Sequence, residues 1–446
     1  MKNKLNILLI PADDRPVSYT LPLQAGMINK NINVFIPPRE FLGNLINNAK
    51  TDEILQWLEK TLLENPMDYV ICALDTAAYG GLIPSRRSSD SKELICSRLG
   101  KFRQIIEASG AKVLGFSSIM RISDNNVNEE EKLYWDEYGK LIFKYSYLKH
   151  KGEDYSAIEA EIPVNILEDY LKTRERNFTI NKMYLQWKDE GFFDFFLYAK
   201  DDIAPFGLNV QEAEALSKQT PVHTGFDEVL TLLVAHSIVE NFDAPIKIFP
   251  VYSTPNGPNI IPRYEDKPLC KNIETHIKMC GAEVADTQED AHMILLAHTP
   301  EKGQNDLAML EFVEQETEES TDFCVNFIKN SNKPVIVADV KNANGSDDLL
   351  ARKLLSETID LYGYAGWNTA SNTIGTALSV GVIRYIAEKQ GSFSQENFNK
   401  LMFVRLADDW AYQAIIRKII RKFNLTPEQI TLSFPWNRSF EVEVNL

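Results

Sequence analysis

Asp201-Asp202 is the dipeptide in this chain whose residue types and spacing most directly suggest chemistry. It follows the apolar run Phe195–Ala199 and precedes Pro205 and Gly207. Neighbours within a strand point to opposite faces, so both acids serve one site only if they lie in the turn beyond Ala199. Two carboxylates held close cannot both ionise easily, and the raised pKa of one keeps it protonated near neutral pH. Glycoside hydrolysis uses such an acid to protonate the leaving oxygen while a second group acts from elsewhere on the ring. Asp202 is the expected general acid and Asp201 its partner. The structural alternative has one Asp capping the next helix while the other pairs with Arg15, Arg87 or Arg121.

Other apolar runs end in comparable groups. The first leads into Asp13-Asp14-Arg15-Pro16, and the third into Asp75 and Tyr79-Gly80-Gly81, then Ser85-Arg86-Arg87. The fourth leads to Ser117-Ser118 and Arg121; later ones lead to Asn344-Gly345 and to Gly366-Trp367-Asn368, with Asn372 four residues on. Ligands of parallel α/β folds bind beyond the carboxyl ends of the strands, so these groups are expected to share one face. Carboxylates and amides bind hydroxyl groups, and aromatic faces cover the apolar side of a sugar ring. The expected function is therefore hydrolysis of a small, carbohydrate-like molecule; the alternatives are a non-catalytic two-domain binding or sensor protein for a small ligand and a metal-dependent hydrolase. Asp14 is the candidate second catalytic carboxylate. Asp13, Asp75, Tyr79, Asn344, Trp367, Asn368 and Asn372 are candidate substrate ligands, and Arg15, Arg87 and Arg121 would hold an anionic group. For Asp13, Asp14 and Asp75, capping of the following helix stays open beside function.

Several classes are marked down. None of the six histidines forms HxH, HExxH or HxxxH; Asp201, Asp202, His223, Asp227 and Glu228 could in principle hold a hard divalent cation, but without spaced histidines no metal or cofactor is expected. No GxGxxG follows a strand and no GxxxxGK[ST] occurs, which removes the familiar nucleotide cradles. No serine sits in a GxSxG elbow. A net charge of -16 repels phosphate backbones, so a nucleic-acid partner is not expected. No apolar stretch reaches the ~20 residues that span a bilayer, and no signal-peptide pattern precedes the first strand. Five scattered cysteines without a CxxC pair argue for reduced thiols and a cytoplasmic setting.

The elements that would position these groups alternate along the chain. Expected strands are Leu5–Ile10, Asn33–Ile36, Tyr69–Leu74, Lys112–Ser117, Phe195–Ala199, Ile246–Tyr252, His292–Ala297, Pro334–Asp339 and Leu361–Ala365. Amphipathic stretches such as Glu53–Leu63, Lys92–Ala108 and Val229–Val239 lie between them. Continuous apolar strands separated by helices argue for parallel sheet buried on both faces, hence an α/β fold. Two Rossmann- or flavodoxin-like domains are expected, at 1–243 and 244–390, with a helical tail over 391–446. A helical insertion at 125–191 would cap or buttress a site. One (β/α) barrel with peripheral strands is the alternative.

Two resemblances follow from these motifs. The adjacent acids Asp201-Asp202 are similar to the pair in substrate-assisted N-acetylhexosaminidases, where the first acid orients the acetamido group and the second donates a proton. More broadly, the chain resembles the bacterial family Domain of Unknown Function 4127. The resemblance rests on Pro11-Ala12-Asp13-Asp14-Arg15-Pro16-Val17, Leu74-Asp75 through Tyr79-Gly80-Gly81, Asp201-Asp202 with Pro205 and Gly207, Gly225 with Asp227-Glu228, Asn344-Gly345 and Gly366-Trp367-Asn368-Thr369. It covers almost the whole chain, and Gly-Trp-Asn-Thr is its most specific part. It implies a bacterial cytoplasmic protein whose strand-end motifs belong together, and it supplies no activity. Phe226 departs from the family's small residue before Asp-Glu.

Overall fold

The computed structural model describes residues 4–45, 47–201, 204–313, 318–357 and 359–420. Asp202 and the end of the tail, including Pro435-Trp436-Asn437-Arg438, lie outside them. Thirteen strands are assigned among the described residues: β1 Leu5–Ile10, β2 Ile32–Phe35, β3 Tyr69–Ala73, β4 Lys112–Ile119, β5 Phe195–Lys200, β6 Val222–Thr224, β7 Lys247–Tyr252, β8 Glu283–Val284, β9 Met293–His298, β10 Asn305–Asp306, β11 Val335–Asp339, β12 Asn342–Ala343 and β13 Gly363–Ala365.

The fold is α/β with two open parallel sheets. The six-stranded sheet has the order β2-β1-β3-β4-β5-β6, and the pairings from β1 to β6 are parallel. The five-stranded sheet runs β8-β7-β9-β11-β13, again in parallel. Taken in chain order within each sheet, five strands follow the flavodoxin-like sequence 2-1-3-4-5 in both cases. Each sheet ends in edge strands rather than closing on itself, which sets the barrel alternative aside. β10 and β12 form a separate two-residue ladder.

Local sequence explains these elements. Tyr69-Val70-Ile71-Cys72-Ala73 is buried throughout, as a strand covered on both faces requires. In the helix Thr51–Glu64, Ile54, Leu55, Leu58 and Thr61 fall on one buried face at helical spacing. The helix Lys92–Ser109 starts at Ser91, whose side chain accepts from the Leu94 N–H, and stops at Gly110, whose φ of 69° suits glycine.

The chain forms two compact units. The first holds Leu5–Tyr19 and Val34–Phe226; the second takes Thr20–Asn33 and everything described from Asp227 on, together with Lys4. This division falls earlier than residue 243, and it assigns the helix Thr20–Met27 to the second unit, where it packs on the helices Val229–Glu240, Ala370–Lys389 and Gln395–Arg405.

Between β4 and β5 lie the helices Trp135–Lys151, Ser156–Glu161 and Val164–Asp189. They carry a small core of their own, with Trp135, Ile142, Tyr145, Leu167 and Tyr170 buried together. Arginines fasten this insertion to the first unit's loops: Arg174 donates to the Met120 carbonyl (2.8 Å) and to Glu212 (2.7 Å). Arg176 donates to the carbonyls of Ser85, Ser88 and Asp90 at 2.7–3.0 Å. No helix among the described residues is long and apolar enough to cross a membrane.

Candidate functional site

In the first unit, the polar groups beyond β1, β3, β4 and β5 gather into one ionic network. Arg86 and Arg121 are its centre. Arg86 Nη2 donates to Asp201 Oδ2 at 2.7 Å, and Arg121 Nη1 lies 3.4 Å from the same oxygen. Arg121 Nη2 donates to Glu130 Oε2 at 2.7 Å and its Nε donates to Glu131 Oε1 at 3.0 Å; Arg86 Nη1 is 3.5 Å from both glutamates. The Arg86 side chain is only 1% exposed, whereas Asp201 and Glu130 keep 25% and 34% of theirs open. The guanidiniums are thus the buried base of the network, and two carboxylates form its open rim. Arg15 is held against Asp13, with Nη2–Oδ2 at 2.8 Å.

The carboxyl groups here are pushed in opposite directions. Partial burial opposes the charge of Glu130, but the guanidiniums of Arg121, Arg86 and Arg15 outweigh it and hold its pKa at about 2. Asp75 goes the other way. It is fully enclosed, and burial raises its pKa although the Ser118 N–H (2.9 Å) and hydroxyl (2.5 Å) both donate to it.

Other expected ligands sit differently. Tyr79 belongs to the hydrophobic core, with Arg176 5.4 Å above its ring and its hydroxyl buried without a partner among the described residues. Arg87 donates to the backbone carbonyls of Leu45, Asn128 and Glu131, so its guanidinium ties loops together. Asp14 is half-buried; its N–H donates to the Gly43 carbonyl, and its own carbonyl accepts from Arg39. Beside Arg121, the residue that joins the acids is Arg86, one place before Arg87, which the sequence reading names instead. Glu130 and Glu131 were missed as well, because they belong to the start of the insertion and not to a strand end.

The second unit brings Asn344, Trp367, Asn368 and Asn372 together beyond β11 and β13. The Asn344 N–H donates to the Asn368 carbonyl (2.8 Å), Asn368 Nδ2 to Asn372 Oδ1 (2.8 Å), and Asn372 Nδ2 to Glu228 Oε2 (2.6 Å). Asn344 and Asn368 both have left-handed backbone, with φ of 61° and 47°. Such strain is sustained only where surrounding bonds over-determine it. Thr369 and Asn372 form a reciprocal capping box on the helix Ala370–Lys389. Trp367 is 7% exposed and donates to Thr376, so it is a packed wall beneath the edge.

Beneath this chain lies an enclosed network of acids. Glu265 accepts from the Ser371 N–H, the Ser371 hydroxyl and Asn272, and burial raises its pKa to about 8 with help from the charge of Glu228. His276 Nδ1 faces the Asn272 carbonyl at 2.9 Å, so Nδ1 carries a proton; its Nε2 then meets Glu228 Oε1 at 3.3 Å. Further along, the backbone winds as a π-helix over Leu406–Ile416, and the buried Asp409 accepts from the Gly366 N–H at 2.9 Å. A Cβ at Gly366 would fall 2.4 Å from the Ser346 hydroxyl, so only glycine permits this approach.

Comparison with known proteins adds little chemistry. The chain is similar to the crystal structure of Fpglu1 from Fervidobacterium pennivoraus, with 12% identity, coverage of 89% of this chain and 96% of that one, and a TM-score of 0.20. A likeness at that score carries no argument about fold or activity. Among the curated proteins none matches the sequence. The family model for proteins of unknown function DUF4127 spans residues 7–432, nearly the whole chain, and the protein belongs to that family.

Proposed function

We propose that the protein is a hydrolase of a small carbohydrate-like molecule, a glycosidase working at the carboxyl edge of the first sheet. The observation that carries this reading is the ionic network after β3, β4 and β5: buried guanidiniums under two partly open carboxylates, Asp201 and Glu130. Glycosidic cleavage needs acids in different protonation states, and environments that drive Glu130 down and Asp75 up supply that contrast within one unit. Asp201, between two guanidiniums, faces positive charge developing on the ring. Asp202, outside the described residues, is the proton donor. Arg121 and Arg15 orient the substrate, and Asp13 and Asp14 bind hydroxyl groups.

Turnover of a panel of aryl glycosides and amino-sugar fragments tests the proposal, with Asp202→Asn compared to the natural chain. The expected outcome is at least a ~100-fold loss of turnover with ligand binding retained, the usual size of a general-acid contribution. Unchanged turnover in Asp202→Asn would remove the mechanism. Ligand-induced stabilisation with no product from any substrate would instead mark a non-catalytic binder.

A further inference from the structure

In the second unit, the helix Glu319–Asn330 packs Cys324, Val325 and Ile328 into one core cluster with Ile294 and Leu296 of β9 and Val337 of β11. One flank of this helix is closed by ion pairs, Asp322 with Lys353 at 2.5 Å and Lys329 with Glu357. The other flank is open. Phe323, Asn326, Phe327 and Asn330 recur there at three- and four-residue spacing, so they share a face. With Gln288 and Ser331 they line a groove of 340 Å³. Phe327 is half-buried and rests on the core cluster, whereas Phe323 is 41% exposed. Their ring centroids are 5.9 Å apart and their planes differ by 24°. Rings so nearly parallel at that separation are displaced past one another, which leaves part of a face uncovered. The side-chain amides of Gln288 and Asn326 make no hydrogen bond among the described residues. Asn330 Nδ2 donates to the Asn326 carbonyl at 2.8 Å, and its Oδ1 is left to accept. No residue lining the groove is charged, in a chain of which 25% is.

We propose that this groove is a non-catalytic binding site for a neutral mono- or disaccharide. Phe323 and Phe327 lie against the apolar face of a sugar ring, and the amides of Gln288, Asn326 and Asn330 take its hydroxyl groups. A saccharide presents both surfaces at once, which is what this lining asks of an occupant. An ionic ligand would find no opposite charge here. A purely apolar one would cover amides that otherwise hydrogen-bond water, and each lost bond costs free energy. A protein partner needs ~800 Å² on each side, whereas the ion pairs of Asp322 and Lys329 bound this ridge within a single helix. Small-ligand sites begin at about 300 Å³, the size class of this groove. The site goes beyond the hydrolase reading, because it binds without chemistry and uses none of the residues of the ionic network.

The full-length chain, isotope-labelled in nitrogen, is titrated separately with cellobiose, maltose and N,N′-diacetylchitobiose. The side-chain amide signals of Gln288, Asn326 and Asn330, assigned by single substitutions, are followed by NMR. The expected result is that at least one of these sugars moves all three signals along one saturable curve. Phe323→Ala should weaken that binding about tenfold, the size of a lost aromatic stacking contact. Its thermal unfolding should stay close to that of the natural chain, because the ring is exposed. Unmoved amides with all three sugars, or equal affinity in a folded Phe323→Ala, would overturn the site. So would a dimer in sedimentation that Phe323→Ala dissociates, since a second copy of the chain would then be the occupant. Aryl-glycoside turnover is a separate readout, and its absence would remove the hydrolase reading while leaving this titration to stand or fall alone.

Discussion

The two sheets share a strand order, yet their carboxyl edges are built from opposite materials. Beyond the first sheet, permanent charges meet: Arg86 and Arg121 against Asp201, Glu130 and Glu131, with part of the acid surface left open. Beyond the second, amides and hydroxyls surround acids that are enclosed, with His276 Nε2 set 3.3 Å from Glu228. Topology therefore delivers polar groups to the same edge in both units without dictating their electrostatics. A guanidinium keeps its neighbours ionised, whereas a buried amide network favours the neutral form of an acid. The first edge concentrates fixed charges, and the second holds a strained loop in place.

The largest test removes the base of the ionic network. Arg86→Met takes from Asp201, Glu130 and Glu131 the most buried guanidinium of the network, and a broken buried pair costs about 3–5 kcal/mol. Chemical denaturation should show a loss of that order for Arg86→Met and a far smaller one for Arg121→Met, whose side chain is 13% exposed. Equal losses would mean that burial does not distinguish the two arginines.

A second test uses pH, because Glu265 of the second edge and Glu130 of the first are shifted in opposite directions. Glu265, held at about 8 against a usual 4.5, is protonated in the folded chain while already ionised in the unfolded one. Its effect is to lower stability as pH rises from 4.5 to 8, by up to about 1.4 kcal/mol per unit, with no further change above 8. Glu130, held at about 2, stabilises the fold above pH 4.5, and that contribution fades as pH falls from 4.5 to 2. Stability against pH should accordingly flatten at 4.5–8 in Glu265→Gln and at 2–4.5 in Glu130→Gln. If both substitutions altered the same pH range, the electrostatic contrast would be wrong. The smallest effect is local: Thr369→Ala removes the cap of the helix Ala370–Lys389 and should cost about 1 kcal/mol in thermal unfolding.

Much of this architecture is legible in the sequence. Continuous apolar runs such as Val335–Asp339 are long enough to mark a strand, and nine of them indicate two parallel sheets. The edge strands β6 and β8, three and two residues long, carry no such signal. The helix Ala370–Lys389 is buried on nearly all sides, so it lacks the amphipathic period that reveals surface helices. The helical tail is readable from Glu396, but nothing in Leu406–Ile416 announces π winding. Among site residues, Asp13, Asp75, Arg121 and Asp201 are recognisable because a strand immediately precedes each. Arg86 and Arg87 are adjacent on one short helix, and only the packing of the insertion decides which reaches the acids.

The early helix Thr20–Met27 has a consequence for how the protein is made. Its buried Leu21, Pro22 and Ala25 find their partners on helices that end at residues 240, 389 and 405. At bacterial or eukaryotic rates of synthesis, that segment emerges from the ribosome roughly twenty seconds or more before its last partner does. During that interval a sticky stretch of nascent polypeptide waits uncovered while the sheet on either side of it in the sequence is already being assembled. A cut made after Phe226 to isolate either half would leave this helix on the wrong fragment, so complementation from two pieces should require residues 20–33 to be supplied with the later one.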